Sequence, residues 1–342
     1  MGAGLIGRRH AGHVAREAEL SAIVDPDPGA RSVADHYNVP WFQDFDAMLR
    51  GNRPDGVIVA TPTQHHVANG LQCIGAGLPA LIEKPVAADI AGAEQLVGAS
   101  EAASIPILVG HHRRYNPLIG KAKAVIAAGS LGRLVAAHAT CWFYKPKDYF
   151  DVAWRTQPGA GPVLTNLIHD IDLLRYLCGE VASVQAQVSN SVRGFDVEDT
   201  ASVLLTFRNG ALGTLTVSDT VVAPWSWELT AAENPAYPRT GESCYIIGGS
   251  AGSLSIPDLA LWHHPGDPSW WDPISRKSQI HETGDPLALQ VRHFSNVALG
   301  REAPLVSGRE GLETLKVVAA IDQAARNGTR TAIPARPCPI SA

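Results

Sequence analysis

An α/β domain built on a parallel sheet, followed by an α+β domain with an open, mainly antiparallel sheet, is the fold this sequence predicts. Three observations predict it. A G-x-G-x-x-G run, Gly2-Ala3-Gly4-Leu5-Ile6-Gly7, stands at the head of the chain. Helical and short buried-strand patterns alternate from Arg8 to about Tyr115, as in a parallel sheet covered on both faces. Beyond Tyr115, strand patterns follow one another through turns such as Asn209-Gly210, which implies hairpin pairing.

The glycine run belongs in the turn between the first strand and first helix of a Rossmann dinucleotide-binding unit. Its first glycine permits the tight turn, the second lets the backbone approach a pyrophosphate, and the third lets the helix pack closely. Only Met1 precedes it, so the first strand of the Rossmann domain reads as truncated. Such a strand needs about five or six residues. The expectation is a Val/Ile-rich segment upstream of Met1, without which the protein is less stable and binds its dinucleotide more weakly.

Arg8 to Ala18 then read as a helix and Ser21 to Val24 as a strand, with Asp25 at its end. A carboxylate about 20 residues past the glycines meets the ribose hydroxyls and repels a 2′-phosphate, so Asp25 favours NAD over NADP. Helices are expected at Ala30 to Tyr37, Phe45 to Leu49, His66 to Gly75 and Ile90 to Ala102, and strands at Gly56 to Ala60, Pro79 to Ile82 and Ile105 to Gly110. Functional residues of such sheets lie at the carboxyl ends of the strands. Three segments occupy those ends: Ala60 to His65, Glu83-Lys84-Pro85, and Gly110 to Tyr115.

The second domain, 116–342 after a first domain of 1–115, reads as a helix at Asn116 to Ala128 and a strand at Leu134 to Phe143. A long helix at Val163 to Leu177 follows, then strands at Val184 to Ser189, Ala201 to Arg208 and Leu212 to Val217. Helices at Leu287 to Leu299 and Glu310 to Arg326 close the chain, with the last helix or tail free to pack back on the first domain.

Composition excludes several classes. With 342 residues there is room for two domains, and 45% hydrophobic with 18% charged residues is a globular balance. A net charge of -5 with scattered Lys and Arg leaves no footprint for nucleic acid. Apolar runs such as Gly56 to Ala60 are too short to cross a membrane, and no signal pattern opens the chain, so a cytoplasmic protein is expected. Cys73, Cys141, Cys178, Cys244 and Cys338 are dispersed and read as reduced thiols. The doublets His65-His66, His111-His112 and His263-His264 lack metal-ligand spacing, so no metal is expected.

With Gly2 to Gly7, Ala60-Thr61-Pro62, Glu83-Lys84-Pro85, Gly159-Ala160-Gly161 to Asp172, Glu198-Asp199-Thr200-Ala201 and Pro304 to Leu312 in view, the chain resembles the glucose-fructose oxidoreductase / inositol dehydrogenase (Gfo/Idh/MocA) family nearly end to end. The resemblance implies a nicotinamide enzyme that transfers a hydride between NAD(P) and a sugar, inositol or related polyol. A carbonyl or dihydrodiol-type substrate is the alternative within that class, and a catalytically inactive nicotinamide-binding regulator the alternative outside it. Lys84 matches the family's catalytic lysine and His169 its catalytic histidine. The cofactor residues implied are Gly2, Gly4, Leu5, Ile6, Gly7, Asp25, Thr61, Pro62, His65, Glu83 and Lys84. Chemistry agrees, since oxidation of a secondary alcohol needs a base near neutrality and a cation beside the developing alkoxide.

One position departs from the family. Where relatives carry an aspartate four residues before the histidine, this chain has Thr165; Asn166 could hold substrate hydroxyls, and Asp172 could orient the ring better than Asp170. Substrate contacts are expected from Lys84, Tyr144, Trp154, Arg155, Thr165, Asn166 and His169. An aromatic plate beside cations suits a polyhydroxylated or carboxylated small molecule. The open sheet face, with Val203, Leu205 and Thr216 among its candidate residues, is expected to be covered by another subunit, in a homodimer or homotetramer.

Overall fold

A computed structural model of the chain describes residues 1–335, which group into two compact units. The first unit is Met1–Asn116 together with Gly284–Leu315; the second is Pro117–Thr283 together with the chain from Lys316. The second domain is therefore not the single stretch 116–342. Residues 284–315 return to the first unit because Val109 N–H donates to Val306 O at 2.9 Å, and Phe294 and Val297 pack on Leu81 and Leu108.

In the first unit the order is α1 (Leu5–Glu17), β1 (Ile23–Val24), α2 (Arg31–Tyr37), β2 (Trp41–Phe42), α3 (Phe45–Gly51), β3 (Val57–Val59), α4 (His66–Gly75), β4 (Ala80–Ile82), α5 (Ile90–Ala103) and β5 (Ile107–Val109). Local chemistry sets the helix starts: Asp44 and Asp89 accept the Ala47 and Gly92 amides at 2.7 and 2.8 Å, capping α3 and α5. These strands pair with one another in parallel, and Val59, Ala80, Ile82 and Val109 are wholly buried between the helices. The apolar runs of these strands follow from burial on both faces.

This sheet is divided. β1–β2 form one sheet and β3–β4–β5 another, and the position between β1 and β3 is where the strand entering the glycine turn belongs. Met1 and Gly2 hold the end of that position: the Met1 amino group donates to Ile58 O at 2.7 Å, Gly2 N–H to Val24 O at 2.9 Å, and Ala60 N–H to Met1 O at 2.8 Å. Met1 and Gly2 thus bridge β1 and β3 at this point. Behind it lies a cavity of about 390 Å³ lined by Ser21 to Val24, Gly56 to Ile58, Val14 and Phe294. The Met1 ammonium is pushed down to about 6 by this burial.

The second unit carries α6 (Pro117–Ala127), β6 (Leu134–Trp142), α7 (Ile168–Cys178), β7 (Val181–Ser189), β8 (Thr200–Phe207), β9 (Leu212–Ser218), α8 (Trp227–Thr230), β10 (Tyr245–Gly249), β11 (Gly252–Ile256), β12 (Ala260–His263) and β13 (Ser275–Ser278). α9 (Pro286–Ala298) lies in the first unit, α10 (Gly308–Asn327) begins there and ends in the second, and β14 (Thr331–Ala332) is the last described strand. Nine strands form one sheet in the order β13-β12-β11-β10-β6-β9-β8-β7-β14, antiparallel except for β6 against β9. The strands β10 to β13 are absent from the sequence-based expectation, because runs of four or five residues are too short to display a clear period.

One face of the sheet packs on α6, α7 and the second half of α10, burying Val203, Leu205, Leu215 and Val217. Val203 and Leu205 therefore do not belong to the open face. Strand alternation places Ser202, Leu204, Leu212, Thr214 and Ile246 there instead, all exposed.

Candidate functional site

In the first unit the site is built round the glycine turn. Gly2 has φ +81°, and a Cβ on it would lie 2.6 Å from Ala60 O; a Cβ on Gly7 would lie 1.9 Å from Gly2 O. Both positions exclude any side chain. Among the described residues nothing stands within 4 Å of a Cβ placed on Gly4, so the middle glycine faces open space. No side chain caps α1, and Leu5 and Ile6, in its first turn, are exposed. Helix-start amides beside a bare backbone are a ready anion site. Asp25 lies against the same turn, its carboxylate accepting the Ala3 amide at 2.6 Å and the Asp27 amide at 2.9 Å. Bare backbone for a pyrophosphate and a carboxylate beside it for a ribose are the features a dinucleotide needs, and the residues fit one.

Thr61, Pro62 and His65 follow β3, and Glu83 and Lys84 follow β4. The two turns are joined by a residue the sequence reading passed over: the buried His66 ring lies between backbone carbonyls, Nε2 2.8 Å from Thr61 O and Nδ1 2.8 Å from Pro85 O. His65, its neighbour, is exposed. A second overlooked residue is His10, three positions past the glycine run, whose Nε2 is 2.7 Å from Glu83 Oε1. Glu83 Oε2 accepts the Lys84 amide at 3.1 Å, so the α1 helix, Glu83 and the Lys84 backbone are tied in series. Burial pushes the Glu83 carboxyl up, but the His10 hydrogen bond and the charges of His10, His112 and Lys84 outweigh it and bring it down to about 2. His10 was legible in principle as a histidine on the buried face of an otherwise basic helix start.

In the second unit His169 opens α7 and is buried. The helix expected at 163–177 is not uniform. Val163–Leu167 form a π-helical turn, so the 3.6-residue periodicity that put Thr165 one α-turn below His169 does not apply there. Asp170 is committed to the core, accepting the Tyr245 hydroxyl, and Asp172 is also buried. Thr165 Oγ1 accepts from Lys145 Nζ at 3.3 Å and contacts Asn166 Oδ1 at 3.0 Å. Lys145 is buried because the chain beyond β6 continues to pair with that beyond β9: Lys145 N–H donates to Asp219 O at 2.9 Å. Its ammonium is pulled down by burial, against the pull of Asp219.

Tyr144 and Trp154 are exposed, and the Arg155 guanidinium lies over the Tyr149 ring, 4.2 Å from its centroid. The structure thus gathers Lys145, Thr165 and Asn166 on one side, and Trp154, Arg155 and Tyr149 on another, with Lys145 Nζ 5.0 Å from the Tyr149 centroid between them. Lys84 belongs to the first unit and His169 to the second. Among the described residues no cluster of His, Cys, Asp or Glu is arranged to hold a metal, and no helix is long and apolar enough to cross a membrane. Cys73, Cys141, Cys178 and Cys244 are buried and, among the described residues, form no disulfide; Cys338 lies outside the described residues.

Comparison with known proteins gives matches over most of the chain. The sequence model described as an oxidoreductase family with an NAD-binding Rossmann fold matches residues 1–111, and that of the GFO/IDH/MocA C-terminal domain matches residues 119–255. D-apiose dehydrogenase of Rhizobium rhizogenes is 25% identical over 339 residues, covering 94% of this chain and 92% of that one. UDP-N-acetylglucosamine 3-dehydrogenase of Acidithiobacillus ferrooxidans is 30% identical over 227 residues, 66% of this chain and 67% of its own. Among solved structures, the WlbA dehydrogenase of Bordetella pertussis in complex with NADH and UDP-GlcNAcA has a TM-score of 0.77 at 26% identity and covers 98% of both chains.

Proposed function

The chain belongs to the GFO/IDH/MocA oxidoreductases, and from that premise we propose that it is an NAD-dependent dehydrogenase acting on a secondary hydroxyl of a sugar or polyol. The observation that carries the reading is the glycine turn, with Gly4 facing open space at the uncapped start of α1 and Asp25 beside it. The dehydrogenase names of the relatives, one matching nearly the whole chain and one about two thirds of it, support the substrate class.

Gly2, Gly4, Leu5, Ile6 and Gly7 hold the pyrophosphate, and Asp25 the ribose hydroxyls. Thr61, Pro62, His65 and Glu83 line the strand ends beside them. A bound nicotinamide supplies the hydride acceptor. His169 takes the hydroxyl proton as the alcohol becomes a carbonyl, and returns it when the reaction runs in reverse. Lys84, as an ammonium, steadies the oxygen while it carries negative charge. Thr165 cannot hold an imidazolium as a carboxylate would. Asn166 and Thr165 are left to bind substrate hydroxyls.

The reading includes assembly and compartment. The exposed Leu204, Leu212 and Ile246 on the open sheet face are covered by a second copy of the chain. Four buried cysteines outside any disulfide among the described residues fit a reducing compartment, the cytoplasm. The test is a screen of sugars, inositols and their acids with NAD and NADP, run on the wild type and on Lys84→Ala and His169→Ala. Each variant should lose about 10²-fold or more in kcat while binding NAD normally; wild-type rates in His169→Ala would place the proton elsewhere.

A further inference from the structure

Three cations of the second unit, Lys145, Arg155 and Arg193, crowd round Tyr149 and Phe150, and among the described residues they share one carboxylate. Lys145 Nζ lies 3.6 Å from Asp219 Oδ2 and Arg193 Nε donates to Asp219 Oδ1 at 2.7 Å, while Arg155 makes no ion pair. The other nearby acids are turned elsewhere. Asp199 Oδ2 accepts the Val192 and Arg193 amides, Glu198 Oε1 accepts the Val163 amide, and Asp148 and Asp151 are exposed without an ion pair.

Lys145 is only 5% exposed and Asp219 only 3%, so this is not a solvated surface cluster. Arg155 is held in place by its own NH1, which donates to Tyr149 O at 2.7 Å, and by the Tyr149 ring beneath it; its Nε is buried and has no partner among the described residues. Trp154, 55% exposed, stands beside it, 5.6 Å from the guanidinium to the ring centroid. Through Lys145 and Thr165 the cluster is continuous with the π-turn that leads into His169. Cations gathered out of water in excess of their counter-ions are costly unless an anion joins them. A guanidinium fork lying on an aromatic ring is preorganised for a planar carboxylate, and an exposed indole offers an apolar plate to the C–H face of a sugar.

We infer that the substrate is a sugar acid, its carboxylate received by Arg155 with Lys145 behind it, and its oxidised hydroxyl the one His169 serves. This rests on the oxidoreductase reading above and narrows it from polyols in general to anionic ones. The test measures kcat/KM with NAD for D-gluconate, D-glucuronate and L-tartrate against D-glucitol, D-glucose and myo-inositol, with D-glucose 6-phosphate as the other anion. Binding of every probe to the NADH-saturated protein is followed by calorimetry, so that an acid that binds without turning over is still counted.

At least one acid should be favoured tenfold or more over its neutral counterpart, in turnover or in binding. Arg155→Gln should reduce that ratio at least tenfold, and Arg155→Lys should retain most of it. Preference for neutral probes, equal loss for acid and neutral probes in Arg155→Gln, or tightest binding of the sugar phosphate would overturn the inference. If NAD itself does not bind, the oxidoreductase reading fails, and acid binding to the protein alone, with the same Arg155 variants, still decides the charge of the ligand.

Discussion

At the residue scale the site is governed by which polar groups are buried together. Glu83 is the clearest case, because its carboxyl sits at about 2 in the folded chain against an ordinary value of 4.5. A carboxyl lowered on folding contributes stability that is complete above the unfolded value and is lost as pH falls from about 4.5 towards 2, roughly 3 kcal/mol in all. Glu83→Gln should therefore cost most near neutrality and least near pH 2, which thermal melts across that range will read; parallel curves for both proteins would show that the His10 contact does not hold the charge. Asp25 gives the second prediction at this scale. Its carboxylate already sits on the Ala3 amide of the glycine turn, where a 2′-phosphate would meet it. NAD should bind at least tenfold more tightly than NADP, about 1.4 kcal/mol, and Asp25→Ala should narrow the gap. Titrations showing NADP bound as well as NAD would remove Asp25 from the ribose.

At the element scale the decisive feature is the slot between β1 and β3. Among the described residues the backbone contacts into it come from Met1 and Gly2, and a buried amide or carbonyl left unpaired costs about 1 to 3 kcal/mol. A chain extended at Met1 by five residues such as Val-Ile-Val-Ile-Gly should fill the cavity, pair on both sides as a parallel strand and join the two sheets. Its melting temperature should rise by several degrees, and its NAD affinity should rise with it, because the strand anchors the turn that holds the pyrophosphate. Equal melting curves and equal NAD-induced shifts for the two proteins would mean that the two-residue bridge already suffices.

At the scale of the whole molecule the open face of the nine-stranded sheet sets the expectation. Leu204, Leu212 and Ile246 stand exposed on adjoining or nearby strands of one sheet. Covered by a second copy, each would bury apolar area worth up to about 1.5 to 3 kcal/mol. Sedimentation at micromolar concentration should show a dimer or a dimer of dimers, and Leu204→Glu with Leu212→Glu should shift it towards monomer without unfolding it. A monomeric wild type would leave the face without the partner assigned to it.

Much of this molecule is written locally. Turn glycines, a strand-end carboxylate and alternating helix and strand signals depend on a few neighbouring residues, so α4 and the strands β1, β3, β4 and β5 were legible from the sequence, as were the turn glycines Gly2 and Gly7 and the strand-end Asp25, whereas the two-residue β2 was not. What is set by partners distant in sequence was not. His10 and Glu83 are 73 residues apart, and Lys145 and Asp219 come together only because two parallel strands run on past their ends. The π-turn before His169 breaks the regular helical period on which the sequence reading relied, and the outward side of β8 follows from which face the helices cover. Alternation reveals that a strand has two faces; only packing decides which of them is the inside.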